Sequence, residues 1–434
     1  MKICVIGGGA AGLSSAYTLS KAGHEVTVFE ADSETGGLVK AIPIGSDLLE
    51  SYYHHIFTSD TEIIRLIDEL GLSDHLMWLE PKNGMYINSK LYPFTSPMDL
   101  MRFSELSLID RLKMGLLVPR AQLIKDWKPL EAMTTSQWIE KNAGKQVYKK
   151  VWKPLMVSKF DNDSDNISAV WIWNKFKLRG TSRGKNISKE LLGYMKGSFT
   201  IVYDTMIERI KHNGGRVMCS APVNKLSLLS DGTFDVYYNE RKENFHKVLA
   251  AVSPDILKGM INPLLISYIN SLEKVKYKAN ICMLMETSES LSDYYWITVA
   301  ESNAPFVLVI EHTNLVKSSS YGSHIVYLSR YIDDSSEFFS LSDEDIRRSF
   351  VSYLKSMFPH WNEKSIINTH ISRTRYAQPV VCKHYSSVIP NIKTPVHNLY
   401  LASMAQIYPE DRGQNYSLAL GQKAARLILE DSVQ

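Results

Sequence analysis

The chain has 434 residues, 44% hydrophobic and 22% charged, an ordinary globular composition with length for two lobes rather than one core. A net charge of +3 excludes a strong field for nucleic acid. Cys4, Cys219, Cys282 and Cys382 lie far apart without metal-ligand or redox spacing, which reads as reduced thiols in a cytoplasmic protein with no metal site. The opening "MKICVIGGGAAGL" is interrupted by glycines and lacks a cleavage site, so no export signal is expected there. No apolar run reaches the roughly eighteen residues of a membrane-spanning helix.

In chain order, "KICVI" reads as a short buried strand. Gly7, Gly9 and Gly12 then give GxGxxG, and a helix begins at Ala10 and Ala11 and stops at Gly23. "EVTVFE" is a second strand, closing on Glu30 and Ala31, with Glu30 18 residues beyond Gly12. Gly7 permits a tight turn, Gly9 lets backbone approach a pyrophosphate, and Gly12 lets helix and strand pack. The helix start offers N–H groups and a positive dipole end to phosphates. Glu30 can accept from both ribose hydroxyls and would repel a 2′-phosphate, which argues against NADP. Strand, glycines, helix, strand and acid in this order predict dinucleotide binding. A plain NAD fold does not require Gly36 and Gly37 so soon after the acid. Together with Leu38 they suggest a second close approach of backbone to a longer cofactor.

The adjacent His54 and His55 in "ESYYHHIFTSD" lack a third ligand at metal-binding spacing. Residues 100–124 are apolar, basic and helix-like. They predict helix packed in the second lobe, with a peripheral membrane contact or greasy substrate channel as the alternative. Residues 80–190 read as mostly helical and 260–385 as strand-rich, an α+β lobe. Arg179, Arg183, Arg330, Arg373 and Arg375 are cationic candidates for an anionic substrate. Tyr294, Tyr295 and Trp296 offer stacking surface or simple core packing. "NLYLA" is a late strand, and "NYSLALGQKAARLIL" has helical periodicity.

GxGxxG, an acid and then "ETGG" together resemble the FAD-binding signature of the flavin amine oxidase superfamily. That group includes protoporphyrinogen oxidases, phytoene desaturases, monoamine oxidases and UDP-galactopyranose mutases. The resemblance covers nearly the whole chain and implies an α/β fold. A discontinuous Rossmann-type FAD domain would comprise 1–79, 191–259 and 386–434, and an α+β substrate domain 80–190 and 260–385. It implies FAD bound non-covalently, since no cysteine matches the C-terminal attachment site. The cofactor contacts would come from the first two glycine clusters, the Val223 backbone, and a helix start at Gly413, Gln414, Asn415 and Tyr416. Ser403 stands where a glycine is usual after "YLA".

"HHIF" resembles the mutase segment beside the flavin ring, with His55 as the flavin neighbour. "VWKPLMVSKF", "WIWNKFKLRG" and "LLGYMKGSFTIVYDTM" are similar to protoporphyrinogen-oxidase-like proteins found with bacterial surface-polysaccharide genes. By that match Lys196 and Gly197 would contact the flavin, with Ser198 replacing a glycine. "RYAQP" resembles the strand crossing the substrate cavity, which implies Tyr376 and Tyr385 in its lining. His55, Arg375 and Tyr376 are then the catalytic candidates. Arg179, Arg183, Tyr295, Arg373 and Tyr385 are the substrate-binding ones. The implied activity is hydride transfer from a small substrate to flavin N5, with anionic and sugar-nucleotide classes open. A mutase-like isomerase using reduced FAD and a non-catalytic flavoprotein stay open as alternatives.

Overall fold

The computed structural model describes residues 1–181, 190–261, 266–317 and 319–432. Strand β1 (Lys2–Ile6), helix α1 (Ala10–Lys21) and strand β2 (Glu25–Phe29) form a βαβ unit. They belong to a five-stranded parallel sheet. Its order is Arg216–Met218, β2, β1, Lys247–Ala250 and Leu399–Leu401. β1 is apolar on both faces because both are covered. Ile3 and Val5 pack on the side of α1 and the C-terminal helix Gln414–Glu430. Cys4 and Ile6 pack against the antiparallel strands Val223–Leu228, Phe234–Tyr238 and Arg241–Phe245. The α/β class expected from the sequence is therefore present, with strands contributed from both ends of the chain.

α1 and the C-terminal helix approach closely because Gly421 has no side chain. A Cβ there would stand 2.2 Å from the Ala11 carbonyl oxygen. The Ser14 hydroxyl donates to the Leu418 carbonyl at 2.8 Å across the same contact. This packing sets the two helix N-termini side by side.

A second, seven-stranded sheet runs Ile366–Pro379, Tyr277–Thr287, His324–Ile332, Leu308–Glu311, Trp296–Val299, Asn83–Ile87 and Lys90–Pro93. Period-2 alternation along Tyr277–Thr287 divides its side chains. Ile281, Met283 and Met285 face the core under helix Asp343–Met357, while Cys282 and Leu284 join the core shared with the first sheet. Helix α2 (Thr61–Glu69) precedes three short ones, α3 (Pro97–Arg102), α4 (Leu108–Gly115) and α5 (Leu117–Leu123). Ser96 and Ser107 start α3 and α4 by accepting from the Asp99 and Asp110 amides. The 100–124 segment thus buries Met114, Leu117 and Ala121 but exposes Leu108, Ile109, Leu112 and Leu123. Among the described residues no helix is long and apolar enough to cross a membrane.

Candidate cofactor and substrate site

A cavity of about 1140 Å³ opens between the two sheets and the helices. It exceeds the roughly 300–1,000 Å³ usual for a single small ligand. At one end stand Gly9, Ala10, Ala11, Gly36, Gly37 and Leu38. Gly36 and Gly37 have φ of 107° and 57°, the left-handed region that favours glycine. A Cβ on Gly37 would lie 3.3 Å from the Gly9 Cα, so side chains here would fill the cradle. α1 begins at Gly9 without a side-chain cap, which leaves its first amides free for a ligand.

The C-terminal helix also begins uncapped, at Gly413, and its first residues Gln414, Asn415 and Tyr416 line the cavity. Gln414 Oε1 accepts from the Tyr203 hydroxyl at 2.9 Å, while its buried Nε2 has no partner among the described residues. Two uncapped helix starts, a glycine cradle and an orphaned amide donor fit an extended diphosphate-bridged cofactor with polar acceptors at its far end. Asn415 departs from its expected use, because its Oδ1 caps α2 by accepting from Glu62 and Ile63 amides at 2.9 and 3.1 Å. That oxygen is committed to the protein, while the residue still lines the cavity.

Gly7, Gly12, Glu30, Ala31 and Val223 lie outside the cavity lining. Gly12 serves packing: a Cβ there would stand 1.8 Å from the Gly7 carbonyl oxygen. The Glu30 carboxylate accepts from the Gly8 and Asp32 amides at 2.7 and 2.9 Å, which ties the first glycine turn to the end of β2. Val223 is buried in the separate three-stranded sheet, paired with Tyr238. Ser403 lines the cavity, and its hydroxyl accepts from the Ala405 amide as a cap.

The middle of the cavity is aromatic. His54 and His55 line it with Tyr53, Tyr295, Trp296 and Tyr331. His54 Nδ1 lies 2.7 Å from the Tyr52 carbonyl, so that nitrogen carries the proton. His55 Nδ1 lies 3.1 Å from the Tyr295 hydroxyl. Burial pushes His54 down to about 4. Burial, then His54 and Lys175, push His55 down to about 3. Both imidazoles are neutral near pH 7, suited to hydrogen bonding and not to acting as cations.

The sequence reading missed a charged cluster beside these aromatics, joined to them through Tyr331. Lys159, Lys175, Asp411 and Arg412 line the cavity with Trp171 and Tyr331. The Lys159 ammonium sits 5.0 Å from the Trp171 ring centroid and 5.2 Å from that of Tyr331. Lys175 pairs with Asp411. Arg412 Nε donates to Gln378 Oε1 at 2.9 Å, and its Nη2 donates to the Tyr331 hydroxyl, itself 3.1 Å from that of Tyr53. Burial would raise Asp411, but Lys175, Lys159 and Arg412 hold its carboxyl well below the usual range. The available signal was a lone lysine amid aromatic helix residues, in "MVSKF" and "WNKF".

Several expected residues are not brought to this chamber. Alternation along Ile366–Pro379 turns Tyr376 into the cavity, where its hydroxyl donates to Asp255 at 2.8 Å. The same alternation turns Arg373 and Arg375 away, to Asp343 at 2.6 Å and Asp334 at 2.9 Å. Arg330 stacks over Phe338 at 4.5 Å, outside the cavity. Tyr385 is buried, its hydroxyl donating to the Ala405 carbonyl at 3.0 Å. Lys196 and Gly197, expected at the flavin, are exposed at a turn outside the cavity lining; Leu192 of the preceding strand lines the cavity. Ser198 adopts φ 81° and donates to buried Glu50 at 2.7 Å, an anchor for the turn. Arg179 and Tyr295 do line the cavity, whereas Tyr294 does not. Arg183 lies outside the described residues.

Comparison with known proteins places this geometry. Protoporphyrinogen oxidase of Nicotiana tabacum mitochondria is 28% identical over 192 residues, 42% of this chain and 37% of that protein, less than half of that relative's length. A putrescine oxidase solved with putrescine superposes with a TM-score of 0.74 at 16% identity, covering 99% of both chains. A reduced UDP-galactopyranose mutase superposes with a TM-score of 0.77 at 13% identity, covering 100% of this chain and 96% of the other. At such identities the superpositions establish the fold. The family model for flavin containing amine oxidoreductase matches residues 10–429, nearly the whole chain, and the chain belongs to that family.

Proposed function

We propose that the protein is an FAD-dependent oxidoreductase that takes a hydride from a substrate held in the cavity beside His55. The convergence of the Gly9–Gly37 cradle and two uncapped helix starts on one cavity, which continues into an aromatic chamber, carries this reading. In this reading the backbone at Gly9, Gly36 and Gly37 admits the diphosphate, and the first amides of α1 face it. The start of the C-terminal helix, with Gln414 Nε2, supplies donors and a positive dipole end where negative charge develops. When bound, the flavin would accept the hydride at N5. Tyr53, Tyr295 and Trp296 exclude water around the reacting centre, and His55 offers a neutral hydrogen-bonding group there. Residues 1–79, 191–259 and 386–434 are read as the cofactor domain, and 80–190 with 260–385 as the substrate domain.

Among the described residues no cysteine lines the cavity, which supports non-covalent attachment. The four free thiols fit a cytoplasmic setting. Oxidation is preferred because most of the similar proteins are oxidases or desaturases; Arg373 and Arg375 point elsewhere and do not form the pair that would hold a sugar diphosphate. The size of the cavity and the charged cluster of Lys159, Lys175, Asp411 and Arg412 in its lining argue against a purely structural cofactor. The test is purification in the dark, denaturation, and identification of the released chromophore by mass and absorbance. The expected result is stoichiometric FAD in the wild type and its loss in Gly37→Val with an unchanged far-ultraviolet spectrum. A wild-type protein that stays colourless after reconstitution with FAD ends this reading. Catalysed conversion only after dithionite reduction, with no net electron flow, ends its oxidase part.

A further inference from the structure

We infer that the substrate is an anion, a carboxylate or phosphate on an apolar body, held by Lys159, Lys175 and Arg412. The inference rests on the cavity being the substrate site and adds the class of molecule it takes. Three cations from three segments meet there: helix Lys153–Phe160, helix Ala169–Thr181 and the loop before the C-terminal helix. One carboxylate, Asp411, lies among them, and it is paired with Lys175. The other acids in the lining are placed elsewhere. Asp60 accepts from the Phe57 amide at 2.8 Å beside the start of α2, and Glu190 accepts from Asn83 Nδ2 at 3.3 Å. His54 and His55 are neutral, so the cluster keeps an excess of positive charge.

Two of the cations have unused donors. Lys159 Nζ touches three ring faces, those of Phe160, Trp171 and Tyr331, and has no hydrogen-bond acceptor or ion pair among the described residues. Arg412 spends Nε on Gln378 and Nη2 on Tyr331, and its Nη1 has no partner among the described residues. Ring faces and the nearby Asp411 offset only part of the cost of an ammonium that has no hydrogen-bond acceptor in a low-dielectric chamber, and an anion that accepts from it lowers that cost further. A guanidinium edge beside an ammonium suits the two or three oxygens of a carboxylate or phosphate. An amine would bring a like charge to the same wall. Away from the cluster an apolar track of Phe94, Leu100, Met114, Val118, Trp152 and Phe176 leads outward to α3–α5, with Thr95, Ser96 and Gln122 beside it. The chamber therefore matches a molecule with one anionic end and a hydrocarbon or aromatic remainder.

The experiment uses the flavin-loaded full chain and four probes of eight carbons each: octanoate, octyl phosphate, octanol and octylamine. Binding is read from the flavin difference spectrum and independently from quenching of the tryptophans, of which Trp152, Trp171 and Trp296 line the cavity. Octanoate or octyl phosphate should bind about tenfold or more tighter than octanol, since a hydrogen bond to a charged group is worth at least that factor. The tighter of the two identifies the anionic group, and octylamine should bind more weakly than octanol. Lys159→Met should remove about tenfold of the anion affinity with octanol unchanged, and Lys159→Arg should restore it. Variants are compared at equal flavin content. Octanol or octylamine binding as tightly as both anions overturns the inference, as does a Lys159→Met protein with wild-type anion affinity. Selective anion binding without any turnover leaves the inference standing and counts only against the oxidase reading. The tryptophan signal reads binding even in a protein that holds no flavin.

Discussion

At the scale of single residues, the cavity separates groups whose protonation is fixed from one poised to change. His54 and His55 stay neutral through the physiological range because burial disfavours their cations. Lys159 is different. Burial, then Lys175, press it well below the ordinary lysine value of 10.5, while Asp411 opposes that and Arg412 adds to it. Tyr331 and Trp171 complete its surroundings with uncharged faces. A bound anion favours the charged ammonium and raises its pKa, so binding above the free-state value must take up a proton. Calorimetric titration of octanoate in two buffers of different ionisation enthalpy should show net proton uptake that grows as the pH rises through the free-state value and falls again above the bound-state one. The Lys159→Met protein should show none, and unchanged uptake there would assign the proton to another group. None of this was legible in the sequence. A lysine near a helix end is ordinarily solvated, and only the fold sets "MVSKF" against the Trp171 ring. Arg373 and Arg375 show the reverse error: an arginine-rich strand looks like an anion site until alternation decides which side chains face inward.

At the scale of elements, local pattern was enough where geometry is local. The glycine turn, α1, β2 and the C-terminal helix follow from periodicity and from positions that only glycine can occupy. What brings the two helix starts together is one long-range contact, Gly421 against the backbone of Ala11. In sequence Gly421 reads only as a weak spot in a helix. Gly421→Val places carbon 2.2 Å or closer to a backbone oxygen, and backbone cannot yield as a flexible side chain can. Overpacking of this kind costs about 1–3 kcal/mol. The helices must separate, and their N-termini with them. The variant should melt at lower temperature and also bind FAD more weakly, while Gly259→Ala, where a Cβ meets open space, serves as the control. A loss of melting temperature with unaltered FAD affinity would show that the helix contact does not set the cofactor site.

At the scale of the whole molecule, the cavity draws on stretches far apart in the chain: Gly9 to Ala11, Gly36 to Val39, Tyr53 to Phe57, helix Ala169–Thr181, Ala251 to Ser253, and Arg412 to Ser417. The expectation that the ends of the chain meet follows from the family pattern; the burial of the chamber between two sheets does not, because it depends on how separate sheets pack. A ligand spanning these segments binds only when all are assembled, so it stabilises the folded state by mass action. At a free FAD concentration about a hundredfold above Kd the stabilisation is about 2.7 kcal/mol. The melting temperature should therefore rise with FAD concentration in the apoprotein, logarithmically and without a plateau at one equivalent. It should do so as a single transition seen equally by tryptophan fluorescence and far-ultraviolet circular dichroism, since segments around both large sheets line the site. A fluorescence transition that shifts with FAD while the circular dichroism transition does not would mean that the cofactor holds one lobe alone, and that the substrate chamber is not closed by it.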